Sequence, residues 1–399
     1  MFADDVAPLL SQHSSDAVDT DGTDAADGAD ASGIAAAGGA PMPSAALHTA
    51  EVAPDVGTAR VEWPEGVRAA AFDVDGVEGA AGTTGDAGAL PMASIAKLVF
   101  ALVLLEERPL AQGEQGPAIT LDDDDLRHLA DGRRERASVL PVQAGDVLSQ
   151  RQLLEAAMLM SASNATMTLA DWAFGSHDGY LAAAERWLDA RGLDGIEVAD
   201  ASGLSARGVA TAADLLEVMD AVDDEPTLLE VTGMEATTLP RVGRVENSNE
   251  ALGAAGIDSG KTGSLIAHGR TVLAGATRTI DGTSVRIHVA LLGIAPGVDR
   301  GAATAALVDS IATNLQRLPV LSSGAVVGWY DLPWSEPIAL ETMTAVRLLH
   351  WRGTPVRIAV DAPAAWSAGV AASLDVQVGD TSRSLPLELT GAEATPNLG

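Results

Sequence analysis

The chain has 399 residues, with 56 acidic against 24 basic side chains and a formal net charge of −32. That length allows two or three domains, and the charge, with no Lys/Arg run, argues against nucleic acid as a partner, because such affinity comes from neutralising phosphates. There is no cysteine, which excludes disulfides, thiol catalysis and the common structural zinc sites.

Residues 1–57 are Ala, Gly, Asp and Ser with few large apolar groups, and read as a disordered acidic arm. The arm opens with neither a basic n-region nor an apolar h-region, so no signal peptide is visible. From Arg60 the pattern changes. Val61 to Trp63 and Val67 to Val74 read as short strands, and 79–88 as a turn. Met92 to Glu107 is apolar almost all round after Ser94, as in a buried helix. Its longest apolar run, Leu98 to Leu105, falls far short of the ~18 residues of a membrane span. Residues 112–147 read as a loop-rich excursion. The Asp122 to Asp125 run within it fits a solvated loop better than a calcium site, whose glycine and distal glutamate are missing.

Gln150 to Met160 is an amphipathic helix, followed by a turn at Ser161 to Asn164 and a helix to about Phe174. Further helices are expected at Leu181 to Arg191, with Gly192 as C-cap, and at Thr211 to Val222. After Gly260 the period changes to two, and Thr271 to Thr277 and Val285 to Leu292 alternate as antiparallel strands do. Gly301 to Leu315 closes the unit as a helix. From Leu318, proline-separated short apolar runs read as a small all-β domain. The expected fold class is α+β, divided as an arm at 1–57, a main domain at 58–317, a β domain at 318–392 and a tail at 393–399.

The chemistry is marked by the two lysines, since all other basic residues are arginine. A guanidinium never loses its proton at accessible pH, whereas a buried lysine can. Lys97 stands three residues after Ser94, so that a helix places amine and hydroxyl on one face. Serine needs such a neighbouring base to act as a nucleophile. Lys261 opens Lys261-Thr262-Gly263 just before a period-two strand, where an amine and a hydroxyl could hold a carboxylate and a glycine admits a substrate backbone. Gly260-Lys261-Thr262 also resembles the end of a phosphate-binding loop. Ala255 stands where that loop needs glycine, and neither the strand before it nor the helix after it is present.

Ser94-Ile-Ala-Lys97, Gln152 to Ser161, Asp200-Ala-Ser-Gly-Leu204, Thr211 to Leu215, Asn247-Ser-Asn249 and Gly260-Lys-Thr-Gly263 together resemble the S11 serine peptidases, the D-alanyl-D-alanine carboxypeptidases among the low-molecular-mass penicillin-binding proteins. The Pro333-Trp334 region resembles the β-rich C-terminal domain of actinobacterial members. The resemblance implies a β-lactamase/transpeptidase-like main domain and no cofactor. It implies peptidoglycan stem peptides as substrates, β-lactams as acylating agents, and a location outside the cytoplasmic membrane. By the same resemblance Ser94 is the acylated nucleophile and Lys97 its base, and Ser161 passes a proton to the leaving group. Lys261, Thr262 and Gly263 bind the terminal carboxylate, and the backbone N–H groups of Ser94 and Ser264 form the oxyanion hole.

One position departs from the family pattern. Where Ser-x-Asn is expected, Ser161-Ala-Ser163 puts a serine in the place of asparagine, with Asn164 one place late. A one-residue shift of the turn would present Asn164 instead. His268 reads as a rim residue, and the other histidines show no metal-ligand spacing. Two other readings stay open: a class A β-lactamase, which lacks a visible Glu-x-x-x-Asn loop between Trp172 and Lys261, and a catalytically weakened scaffold, motivated by Ser163.

Overall fold

The computed structural model describes residues 46–49, 54–333, 335–364, 366 and 370–391. The remainder of the acidic arm, Trp334 and the tail lie outside the described residues. The described residues form two compact units, one of 57–317 with 349–353 and one of those within 46–56, 318–348 and 354–391.

The larger unit is mixed α and β. Its centre is a five-stranded antiparallel sheet of β1 (Ala69–Val74), β2 (Ala81–Gly85), β3 (Ile257–Leu265), β4 (Gly269–Ile280) and β5 (Thr283–Ile294), in the order β3-β4-β5-β1-β2. Both faces are covered, so the alternation of β5 at Val285–His288 gives way to a continuous apolar run at Val289–Leu292, and β1 is continuously apolar over Ala69–Phe72. Ala69, Ala71, Leu273, Ala290 and Leu292 face a helical core. Ala70, Phe72, Val272, Ile287, Val289 and Leu291 face α8 (Arg300–Thr313) through its Leu307, Val308 and Ile311.

The helical core is built around α1 (Ala96–Glu107), in which Leu98, Val99, Phe100 and Leu104 are all buried. A helix apolar on every side needs neighbours on every side. They are α3 (Gln150–Leu159), α4 (Ser163–Phe174), α5 (His177–Asp189) and α6 (Asp214–Asp223), while α2 (Asp123–Arg134) packs on α4 and α7 (Pro226–Gly233) on α3 and α6. Phe100 and Tyr180 meet edge to face with centroids 5.1 Å apart.

Three local expectations need correction. Val61 to Trp63 forms no strand. The backbone here bonds to side chains at the end of α8 instead, Arg60 N donating to the C-cap Asn314 Oδ1 at 2.8 Å and Glu62 N to Ser310 Oγ at 2.7 Å, while Trp63 packs on Phe72. The Asp122 to Asp125 run is not a loop but the start of α2. The Asp122 side chain caps it and Asp125 reaches back to the Asp122 amide at 2.8 Å, a capping box made of aspartates. Finally, Ala46–Thr49, which composition places in the acidic arm, is a strand of the smaller unit's sheet. Leu47, half-buried, packs on that unit's core, and the exposed His48 stacks on Trp329.

The smaller unit is a six-stranded antiparallel sheet. Its order is Ala46–Thr49, Val326–Asp331, Ile338–Thr342, Thr381–Thr390, Ser373–Val378 and Val356–Asp361. Val327, Tyr330, Leu340 and Leu374 are its most buried side chains, and the Tyr330 hydroxyl donates to Pro363 O at 2.6 Å.

Candidate active site

Ser94 sits in a single 3-10 turn, Ala93–Ile95, that leads into α1. Ala93 before it has φ +52°, a left-handed conformation unusual for a residue with a Cβ. Strain of this kind persists only where surroundings enforce it, and it concentrates at functional sites. Here the neighbours are backbone. A Cβ on Gly203 would lie 1.9 Å from the Ala93 carbonyl, and one on Gly263 would lie 2.7 Å from Ser94 N. Thr271 Oγ1 donates to Met92 O at 3.1 Å and fixes the turn against β4.

Lys97 begins α1 one turn after Ser94. Its Nζ is 3.2 Å from Ser94 Oγ and also donates to the Ser202 carbonyl. The side chain is 1% exposed. Burial lowers its pKa from 10.5 to about 7, against the opposing pull of Asp200. Near neutrality the amine is therefore free of its extra proton about half the time, with a lone pair to offer to the Ser94 hydroxyl.

The Ser202 carbonyl is delivered by Asp200, a role that sequence reasoning missed. Asp200 Oδ1 accepts from Ser202 N at 2.8 Å, Ser202 Oγ at 2.8 Å and Leu204 N at 3.1 Å, and Oδ2 accepts from Ser205 N at 2.8 Å. Burial alone would raise its pKa, but the bonds from Ser205, Ser202 and Leu204 outweigh burial and hold the carboxyl below the usual range. The Asp-x-Ser-Gly-Leu spacing was visible; its purpose was not, because the group presented to Lys97 is a main-chain oxygen.

The Lys261-Thr262-Gly263 segment lies on β3, an edge of the sheet, and runs beside Ser94. Thr262, Gly263 and Ser264 line the cleft. Lys261 is buried and does not itself line the cleft: it is 1% exposed and its Nζ donates to Thr262 O at 3.0 Å. Burial, then the charges of Lys97 and Arg300, hold its pKa well below the ordinary lysine value. Arg300, from α8, is the second cation here and was not anticipated. It donates to Gly263 O at 3.0 Å and Thr271 O at 3.2 Å, and its other edge is paired with Glu250 at 2.7 Å. No local signal marks it, since β3 and α8 are far apart in sequence.

Ser161 follows α3 with φ +60° and lines the same cleft, as does Ser163. The Ser163 hydroxyl donates to Ser138 O at 3.2 Å. Asn164 is turned away, which corrects the expectation that a shifted turn presents it. Its Oδ1 accepts from Leu140 N at 2.8 Å and its Nδ2 donates to Leu140 O at 2.9 Å, and it is 2% exposed. The amide serves as a clamp on the Leu140 backbone. His268 is exposed in the turn between β3 and β4.

These residues surround one cleft of about 860 Å³, lined by Ser94, Lys97, Ser161, Ser163, Thr262 and Ser264 among others. The model of the peptidase S11 family, described as D-alanyl-D-alanine carboxypeptidase, matches residues 83–291, just over half of the chain. The chain belongs to the S11 peptidase family. The match spans both Ser94-x-x-Lys97 and the Lys261-Thr262-Gly263 strand.

Solved structures similar to this S11 member share its fold. A D-alanyl-D-alanine carboxypeptidase of Mycobacterium tuberculosis is 24% identical, with a TM-score of 0.54, covering 65% of this chain and 95% of that one. The PBP3 of Streptococcus pneumoniae, titled a peptidoglycan synthesis regulatory factor, is 18% identical with a TM-score of 0.60, covering 81% of this chain and 98% of that one. Penicillin-binding protein 5 of Haemophilus influenzae is 16% identical with a TM-score of 0.59, covering 83% and 98%. No curated protein matches the chain.

Proposed function

We propose that the protein is a serine-type D-Ala-D-Ala carboxypeptidase that removes the terminal D-alanine from peptidoglycan stem peptides. The observation that carries this reading is the pair Ser94 and Lys97: an amine 3.2 Å from the hydroxyl, with its pKa brought to about 7 by burial. Ser94 Oγ attacks the carbonyl carbon of the penultimate D-alanine, and its proton passes to Lys97 Nζ. Negative charge develops on the carbonyl oxygen, where the Ser94 and Ser264 N–H groups act as donors. The intermediate collapses by breaking the peptide C–N bond. The departing amine takes a proton by way of Ser161, leaving an acyl ester on Ser94. Water then attacks that ester, giving a proton to Lys97 Nζ; the ester C–O bond breaks, Lys97 passes that proton to Ser94 Oγ, and the trimmed peptide leaves.

The terminal carboxylate of the substrate sits along β3, against Thr262 and Ser264. Lys261, buried beside the cleft, acts through its charge, and Arg300, which lines the cleft, adds a second one. An arriving carboxylate compensates the mutual repulsion of these cations and favours a protonated Lys261. β-Lactams, with a carboxylate and a strained amide in the same relation, acylate Ser94. Because such peptides lie outside the cytoplasmic membrane, the protein acts there; no helix among the described residues is long and apolar enough to cross a membrane.

A β-lactamase of class A needs a glutamate-bearing loop to activate the deacylating water. Among the described residues the only glutamate lining the cleft is Glu135, which follows α2, with none from 172–261. That supports the peptidase over the β-lactamase. Release of D-alanine from diacetyl-L-Lys-D-Ala-D-Ala tests the reading. Turnover by the native protein that vanishes in Ser94→Ala supports it. A folded protein that binds the peptide and releases no D-alanine leaves the scaffold role, to which the tied hydroxyl of Ser163 would then point.

A further inference from the structure

Away from the cleft, one buried cluster of titratable groups has no part in this chemistry. His288 on β5 is 1% exposed, and its cross-strand neighbour on β1 is Asp73. α6 packs over both strands and carries Asp220 and Asp223, three residues apart and so on one face. His288 Nε2 is 2.8 Å from Asp223 Oδ2 and hydrogen-bonded to it. Nδ1 lies 2.9 Å from Asp220 Oδ1 and 3.1 Å from Asp73 Oδ1, yet makes a hydrogen bond to neither. Asp73 Oδ1 is likewise buried without a hydrogen-bond partner.

The three atoms thus converge with no proton correctly placed among them. One ring N–H can align well with only one of the two carboxylates. The spacing has another explanation. Donor atoms bound to one ion at about 2.1 Å stand roughly 3.0 Å apart at right angles and about 3.4 Å apart in a tetrahedron. The two observed N···O separations lie at the right-angle edge, and all three donor atoms lie within 4.8 Å of one another.

The surroundings fit as well. Arg286 donates to both oxygens of Asp223 at 2.6 Å, so the Asp223 charge is compensated. Among the described residues no arginine or lysine pairs with Asp73 or Asp220. Asp223 behind Nε2 is the arrangement that fixes a ligating imidazole in one tautomer, with the lone pair on the other nitrogen.

We propose that His288 Nδ1, Asp73 and Asp220 form a binding site for one divalent first-row transition ion, with Asp223 orienting the imidazole. A nitrogen with two carboxylates suits zinc, manganese or nickel, and is a poor match for the all-oxygen preference of magnesium and calcium. The ion would join α6 to the two central strands of the sheet. The competing occupant is a second proton on the ring. Burial opposes it, but Asp220, Asp223 and Asp73 push the imidazole pKa up to about 11. A proton would leave at least one of the two facing oxygens unbonded; an ion satisfies both.

The test uses the full chain, stripped with chelator and titrated calorimetrically with Zn²⁺, Mn²⁺, Ca²⁺ and Mg²⁺. The expected result is one Zn²⁺ per chain, bound at least about tenfold tighter than Ca²⁺ or Mg²⁺, and a Zn²⁺-dependent rise in Tm. His288→Gln, and Asp220→Asn at a half-exposed helical position that the fold tolerates, should each weaken Zn²⁺ binding at least about tenfold. If Zn²⁺ is not taken up, or is taken up equally by Asp220→Asn, the proposal is wrong. His288 is then an imidazolium held among carboxylates, and any bound cations belong to the acidic surface.

Discussion

Gly263 and the Ser94 amide are in contact: a Cβ at position 263 would stand 2.7 Å from Ser94 N. The same Cβ would meet Ala93 Cβ at 2.8 Å and Thr271 Oγ1 at 2.6 Å. Strand and nucleophile turn can approach so closely only because the strand has no side chain there. Gly263→Ala should therefore push β3 away from the Ser94 N–H that the transition state uses. We expect acylation by a fluorescent penicillin to slow by roughly 10²–10³-fold, the usual consequence of displacing one oxyanion donor. Stopped-flow labelling measures it, and an unchanged rate would show that the contact is irrelevant to chemistry.

The pH dependence follows from Lys97. A base must be unprotonated, and this one changes state at about 7 rather than 10.5. Hence kcat/KM should rise tenfold per pH unit below that value and level off above it. Lys97→Arg should lose nearly all acylation at every accessible pH, since a guanidinium keeps its proton. A rate profile flat from pH 5 to 8 would rule out Lys97 as the base.

Asp200 acts on Lys97 through the Ser202 carbonyl and through its charge. Asp200→Asn leaves one oxygen to accept but turns the other into an N–H₂ facing Ser205 N, a donor against a donor. The loop should loosen, at a cost of about 1–3 kcal/mol in stability. The lost negative charge should also move the rising limb of kcat/KM to lower pH, because Asp200 is what raises the Lys97 pKa. Thermal unfolding and the pH profile read the two effects separately, and a limb that stays in place would remove Asp200 from the electrostatics of the base.

Asn164→Ala is expected to act on the fold. It leaves the buried N–H and C=O of Leu140 without partners, which typically costs about 1–3 kcal/mol each. A clear fall in Tm with retained penicillin labelling fits the clamp role. Intact stability with lost labelling would return Asn164 to the substrate side.

Several of these relationships were legible in the chain and others were not, for identifiable reasons. Ser94, Lys97 and the Lys261 strand stood out because a chain with two lysines has few places to put a neutral amine. The helical core was legible from α1, whose apolar run admits only burial. By contrast α2 buries little beyond Leu129 and Gly132, so hydrophobic period could not find it; its capping box could have. α7 is short and opens on Pro226, which reads equally well as a break. The orientation of the Ser163-Asn164 pair depends on the loop at 138–140, which no local pattern predicts. Arg300 and the Asp73–Asp220–His288 cluster are assembled from distant elements, and only the closed sheet brings them together.

The most direct measurement is the site of covalent modification. After incubation with benzylpenicillin, the intact mass should increase by one β-lactam, and proteolytic mapping should place the adduct on Ser94, with none formed by Ser94→Ala. Modification at another residue, or an adduct that persists in Ser94→Ala, would contradict the assignment of Ser94 and Lys97 as nucleophile and base.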